Sequence, residues 1–246
     1  MHKPSTARSQ SEFYQLTQYL ALVVLCLLLW FMPLTHEACV AVDIDVAVWL
    51  NQSLSLSHAW QLLWGYLNHP NETWLNIVFM LGVNILGVYS LPKSKRTHAA
   101  ALVLYCWLFF QIVLLLTHKI FADWLDVQRS SPSIIIQPWV VLSETLNISN
   151  IKVYSHSSFP AGHVLVLIFW LKFMQLYSKG WVFALAVATT VMLTLPRMFS
   201  GAHWLSDIIF TICYSLLWFE LAVCTPFFPK AIKYIERTIL KISGKT

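Results

Sequence analysis

The division of this chain into long apolar runs separated by short polar loops constrains its fold more than any other feature. A helix that crosses a bilayer needs about 20 mostly apolar residues. Six runs meet or approach that length: Leu16–Leu34, Thr73–Leu91, Ala99–Thr117, Gly162–Tyr177, Trp181–Leu195 and His203–Cys224. Backbone polar groups in hydrocarbon must be satisfied within their own segment, so such runs predict helices. The expected fold is all-α: a polytopic membrane protein with six transmembrane helices, residues 1–246 forming one bundle with added interfacial helices. Charged residues make up only 11% of the chain, against about 25% in soluble domains. The run after Lys3 and Arg8 reads as a retained span and not a cleaved leader, because it is long and no small-residue cleavage pair follows.

The basic residues give an orientation. Lys3, Arg8, Lys93, Lys95, Arg96, Lys172, Lys179, Lys230, Lys233, Arg237, Lys241 and Lys245 fall on one side of the expected spans; Lys119, Arg129, Lys152 and Arg197 fall on the other. Cytoplasmic loops carry the Lys/Arg excess, so both termini are expected in the cytoplasm. The four exceptions then mark the opposite face as the place to look for function. The net charge of +5 is spread over loops, not gathered into the stripe a nucleic-acid binder needs. Cys26, Cys39, Cys106, Cys213 and Cys224 have neither zinc-site nor disulfide spacing. The stretch Asp43–Leu67 holds three Trp but no Lys or Arg; it is too broken to span and reads as one or two helices at the interface. Glycosylation triplets begin at Asn51, Asn71 and Asn147, all in outer loops.

Three polar pieces gather at the outer face. The last outer loop runs from Pro196-Arg197 to His203-Trp204-Leu205-Ser206-Asp207. The four-residue spacing predicts that His203 and Asp207 share a helix face, where the carboxylate can orient one imidazole nitrogen and leave the other as a nucleophile. A carboxylate in a membrane helix is costly and calls for a partner. The second piece, Pro160-Ala161-Gly162-His163, opens an apolar run; a helix start offers free N–H groups to an anion. Taken alone it reads as a capping turn with an interfacial histidine. The third, Arg129-Ser130-Ser131-Pro132, supplies a guanidinium suited to phosphate oxygens.

Together the three pieces resemble the type 2 phosphatidic acid phosphatase superfamily, whose signature is Lys-x6-Arg-Pro, Pro-Ser-Gly-His and Ser-Arg-x5-His-x3-Asp. Arg197, His203 and Asp207 keep the spacing of the third part, with Pro196 in place of the serine. Ala161 replaces the serine of the second part. In the first part Pro132 follows Arg129 three residues late, Ala122 stands where the lysine belongs, and Lys119 lies nearby. The resemblance implies that His203 becomes a phosphohistidine, that Asp207 orients it, and that His163 is the general acid and base. It implies that Arg129, Arg197, Lys119 and the backbone of Ala161 and Gly162 hold the phosphate, with no metal or cofactor. A narrower resemblance is to the lipid A 1-diphosphate synthases of Gram-negative inner membranes, carried by Arg129-Ser130-Ser131-Pro132, Ser158-Phe159-Pro160, Gly201-Ala202-His203-Trp204 and Asp207-Ile208-Ile209. It implies undecaprenyl diphosphate as phosphate donor, lipid A as acceptor, and a periplasmic active site.

Other functions stay open at this point. A simple hydrolase of undecaprenyl diphosphate, phosphatidic acid or another lipid phosphate would use the same residues. A non-catalytic lipid-binding protein on the same fold would account for Ala161 and the altered first motif. A channel would place ionisable groups deep in several spans, whereas here they gather at one face.

Overall fold

The computed structural model describes residues 6–69, 72–149 and 151–244. All regular structure among these residues is helical. The main helices are α1 (Thr6–Phe31), α2 (Pro33–Ser53), α3 (His58–Leu67), α4 (Glu72–Tyr89) and α5 (Lys93–His118). The short turns α6 (Pro132–Ile135) and α7 (Leu142–Thr145) precede α8 (Gly162–Tyr177), α9 (Gly180–Thr194), α10 (Pro196–Phe199), α11 (Leu205–Cys224) and α12 (Phe227–Ile242).

Among the described residues, five segments are long and apolar enough to cross a membrane: Phe13–Phe31, Pro33–Leu56, Lys93–Trp124, Gly180–Phe199 and Leu205–Cys224; Trp74–Tyr89 and Gly162–Tyr177 are shorter apolar helices. Pro33–Leu56 overlaps the stretch expected at the interface. Its contacts decide how it sits. His36 Nδ1 bonds the Trp30 carbonyl at the end of α1, Asp43 bonds Ser206 at the start of α11, and Asn51 bonds the Phe199 carbonyl at the end of α10. These anchors span about 22 Å of helix, yet all their partners sit at one end of the bundle. So α2 lies across that end. Asn51 is buried there, its amide also donating to the Val140 carbonyl, so its triplet is closed to a glycan in the folded protein. Asn147 is exposed, and Asn71 lies outside the described residues.

The bundle is built around α11 and α8. α11 packs on α1 and α8; α5 packs on α8 and α12; α9 packs on α8 and α4. Thr211 and Ser215 are buried on α11 and return their hydroxyls to their own helix. Small residues that satisfy themselves this way allow close helix contact in lipid. Phe169, Phe173 and Phe219 interlock in the core, with Phe173 edge-on to Phe219 at 5.3 Å. Asn84 Oδ1 accepts from both Trp170 Nε1 and Tyr177 Oη, each at 2.9 Å, and so fastens α4 to α8. Large apolar side chains stay exposed on the outer faces of α1, α4 and α5, among them Leu25, Val78, Leu108 and Leu115. A bilayer, and not water, suits such a belt.

Two elements depart from the sequence expectations. α12 is a regular amphipathic helix beyond the last expected span; it buries Ile232 and packs Ile235 and Ile239 on the core. α5 ends in a π-helical turn, Lys119–Trp124. That turn sets Phe121 against Phe159, Phe210 and Tyr214, and the chain leaves it towards Arg129.

Candidate active site

The chain turns from α10 into α11 at Gly201, whose φ is 82°. A Cβ there would stand 2.3 Å from the Trp139 ring, so the turn and the close approach both require glycine. Trp139 Nε1 donates to the Ser200 carbonyl at 3.1 Å and holds the ring in place. His203 follows in the turn, ahead of α11 and not on it. The shared helix face expected for His203 and Asp207 is therefore corrected. Asp207 lies in the first turn of α11, where its Oδ2 accepts the Trp204 N–H at 3.0 Å and caps the helix. His203 Nδ1 is 3.8 Å from Asp207 Oδ2, too far for a hydrogen bond.

The imidazole is oriented by the backbone. His203 Nδ1–H donates to the Ser158 carbonyl at 2.7 Å. A carbonyl only accepts, so the proton lies on Nδ1 and the lone pair on Nε2. Ser158 is fixed in turn, its N–H donating to the Arg129 carbonyl at 2.8 Å. Beside it, Ser131 and Ser155 exchange two bonds of 2.9 Å. The loop of the first motif and the loop of the second thus lie side by side, and together they seat His203.

His163, in the first turn of α8, faces His203 with ring centres 4.9 Å apart and planes inclined by 35°. Arg197 Nη1 lies 3.5 Å from its Nδ1. Its Nε2 is buried without a protein partner, a state that costs about 1–3 kcal/mol unless a ligand satisfies it. The Ala161 N–H, expected at the phosphate, is already used: it donates to Thr211 Oγ1 at 3.0 Å, and Thr211 donates to the Asp207 carbonyl at 2.6 Å. Gly162 remains, and it lines the adjoining cavity.

Arg129 also sits differently from a simple phosphate clamp. Its Nη1 bonds Asp207 Oδ1, and also Ser206 Oγ at 2.8 Å; its Nη2 bonds Asp43 Oδ2 at 2.6 Å. The guanidinium carbon lies 4.1 Å from the ring centre of Trp30 and 5.1 Å from that of Trp204. Two carboxylates and two indoles therefore enclose one cation behind His203. Lys119 is exposed on the π-helical turn, and its ammonium forms no hydrogen bond or ion pair among the described residues.

A cavity of about 350 Å³ lies between α4, α5 and α8. His163, Arg197, Gly162 and Asn76 form part of its lining; Met80, Trp107, Phe110, Leu114 and Leu167 give it an apolar wall. A site with cations beside an apolar chamber between helices suits an anion carried on a lipid.

Residues 112–230 match the family model described as the PAP2 superfamily. The chain thus carries a PAP2 superfamily domain. It is 25% identical over 214 residues to the lipid A 1-diphosphate synthase of Escherichia coli (strain K12), covering 85% of this chain and 87% of that protein. It also aligns with the crystal structure of a transmembrane PAP2-type phosphatidylglycerolphosphate phosphatase from Bacillus subtilis, with a TM-score of 0.47 and 19% identity over 88% of this chain and 97% of that one. The protein is thus a PAP2-type membrane enzyme, a lipid phosphatase or phosphotransferase. The PAP2 match holds all of Arg129, His163, Arg197, His203 and Asp207.

Several residues at the PAP2 site carry no sequence signal. Ser158 acts through its carbonyl, which any residue has. Thr211 is one polar residue on an apolar helix. Asp43 stands outside the match, 163 residues from its Ser206 partner. The one available hint is a carboxylate beside a stretch with no Lys or Arg of its own to pair with.

Proposed function

We propose that this PAP2 enzyme moves phosphate from a lipid diphosphate through a phosphohistidine at His203. The paired histidines carry the reading: His203 presents a lone pair on Nε2, and His163 Nε2 is buried without a partner beside it. His203 Nε2 attacks the terminal phosphorus, and the phosphorus–oxygen bond to the lipid phosphate breaks. His163, as imidazolium, gives its proton to the leaving oxygen. It then takes a proton from the acceptor, which attacks the phosphohistidine and frees His203. Arg197 and the N-terminus of α8 at Gly162 meet the charge on the phosphoryl oxygens. Asp207 stabilises the imidazolium that forms on His203.

The donor in this reading is undecaprenyl diphosphate and the acceptor is the 1-phosphate of lipid A. The synthase relation supports it. The apolar wall between α4, α5 and α8 supports a long-chain donor. Hydrolysis is the same reaction with water as acceptor. The Lys/Arg excess at the far end of the bundle supports a site on the periplasmic face of a bacterial inner membrane, with both termini in the cytoplasm.

The test gives purified protein undecaprenyl diphosphate with and without lipid A and follows the phosphate. Transfer to lipid A is expected, with an acid-labile phosphoenzyme that His203→Ala abolishes together with turnover. Free phosphate at an equal rate in both arms would leave a hydrolase; unchanged turnover in His203→Ala would remove the nucleophile.

A further inference from the structure

The mechanism above gives no task to a buried carboxylate that lies next to its residues. Asp43 on α2 is 2% exposed. It accepts from the Ser206 N–H at 2.8 Å, from Ser206 Oγ, and from Arg129 Nη2 at 2.6 Å. A buried carboxylate is strongly unfavourable unless it is paired, and here the pairing partner is shared. Arg129 spans Asp43 and Asp207. With Asp207 alone, Arg129 would neutralise the carboxylate nearest to His203. With both, the cluster of two carboxylates and one guanidinium keeps one net negative charge, and Asp207 Oδ2 stands 3.8 Å from His203 Nδ1.

We propose that Asp43 is a positioning residue of the phosphoryl-transfer site: it takes up the charge of Arg129, so that the charge of Asp207 remains available to His203. This rests on the phosphohistidine reading. His203 is neutral before attack and cationic once Nε2 has bonded to phosphorus. The surplus negative charge then gains a partner at the step where a positive one appears, which is the kind of interaction that speeds a reaction and does not merely tighten binding. Arg129 thereby acts through Asp207 and not by touching phosphate. The other charged or titratable groups around the histidine pair are His163 itself from α8, Arg197 from α10 and Lys152 from the loop before α8. Asp43, Arg129 and Asp207 are joined by direct bonds.

The test is a charge-balance cycle on the full-length protein in detergent or nanodiscs, with kcat and KM for phosphate transfer from undecaprenyl diphosphate. Asp43→Asn is expected to lower kcat by about 10- to 100-fold, the range of coupling between bonded charges, with KM changed by less than about threefold. The double variant Asp43→Asn with Arg129→Met restores one net negative charge at Asp207. It is expected to exceed Asp43→Asn in kcat and in phosphoenzyme formation. A purely structural clamp predicts the reverse, because the double variant breaks more bonds. If Asp43→Asn does not accumulate, the double variant is compared with wild type: Asp207 keeps its charge in both, so kcat is expected within about tenfold of wild type, and a larger loss overturns the proposal. A double variant no faster than the single one overturns the proposal, as does wild-type kcat in Asp43→Asn. Failure of the underlying reading shows separately, as turnover that persists in His203→Ala.

Discussion

Replacing Asp207 by Asn keeps the side-chain shape and removes one charge, and the structure permits an estimate of the cost. Asp207 Oδ2 lies 3.8 Å from His203 Nδ1. At an effective dielectric constant of about 20, unit charges at that separation interact by about 4 kcal/mol. This interaction is absent while His203 is neutral and present once its ring is cationic, so it falls on the barrier. At about 1.36 kcal/mol per tenfold, Asp207→Asn should lower kcat roughly a thousandfold. The tautomer of His203 should survive, because the Ser158 carbonyl and not Asp207 holds Nδ1–H. The loss should therefore appear in kcat with KM nearly unchanged. The assay is phosphate transfer by purified variant and wild type at matched protein, alongside thermal midpoints. A folded Asp207→Asn protein within about tenfold of wild type would refute the electrostatic role at the stated magnitude.

Two further outcomes test other parts of the structure. Gly201→Ala forces a Cβ at φ 82° into the Trp139 ring; about 1–3 kcal/mol of strain is expected, lowering the thermal midpoint by several degrees and slowing turnover through the displaced His203, and an unchanged midpoint would contradict the packing. In a cysteine-free background, a reagent that cannot cross the membrane should label a Cys placed at exposed Ser157 and spare one at exposed Ser94; the opposite pattern would invert the proposed topology.

The parts of the site visible in the sequence are those that rest on spacing along the chain. Arg197, His203 and Asp207 lie close together in sequence, and an apolar background makes them conspicuous. His163 follows a Pro-Ala-Gly turn into a helix, and the structure does set it against His203. The partners of these residues were not readable in the same way. The spacing of His203 and Asp207 suggests a direct bond, but one turn of non-helical chain moves His203 off α11 and gives its Nδ1 to a backbone carbonyl. Arg129 is identified as a cation near the site, yet its surroundings depend on α2, which folds back from a distant stretch. Ala161 loses its N–H to Thr211, a pairing between residues 50 apart. The pattern of α12 was readable: Ile232, Ile235 and Ile239 recur at helical spacing among lysines.

The order of synthesis gives the clasp between α2 and α11 a consequence. α1 packs on α11, which is synthesised well after it. Asp43 and Trp30 are made early, Arg129 midway, and Ser206, Asp207 and His203 late. Until α11 enters the bilayer, no nascent intermediate holds both carboxylates around the guanidinium. A chain released before that point leaves Asp43 without Ser206 and Arg129 without Asp207. Completion of α11 is thus the event that both ties α2 to the bundle and surrounds Arg129 with its two carboxylates.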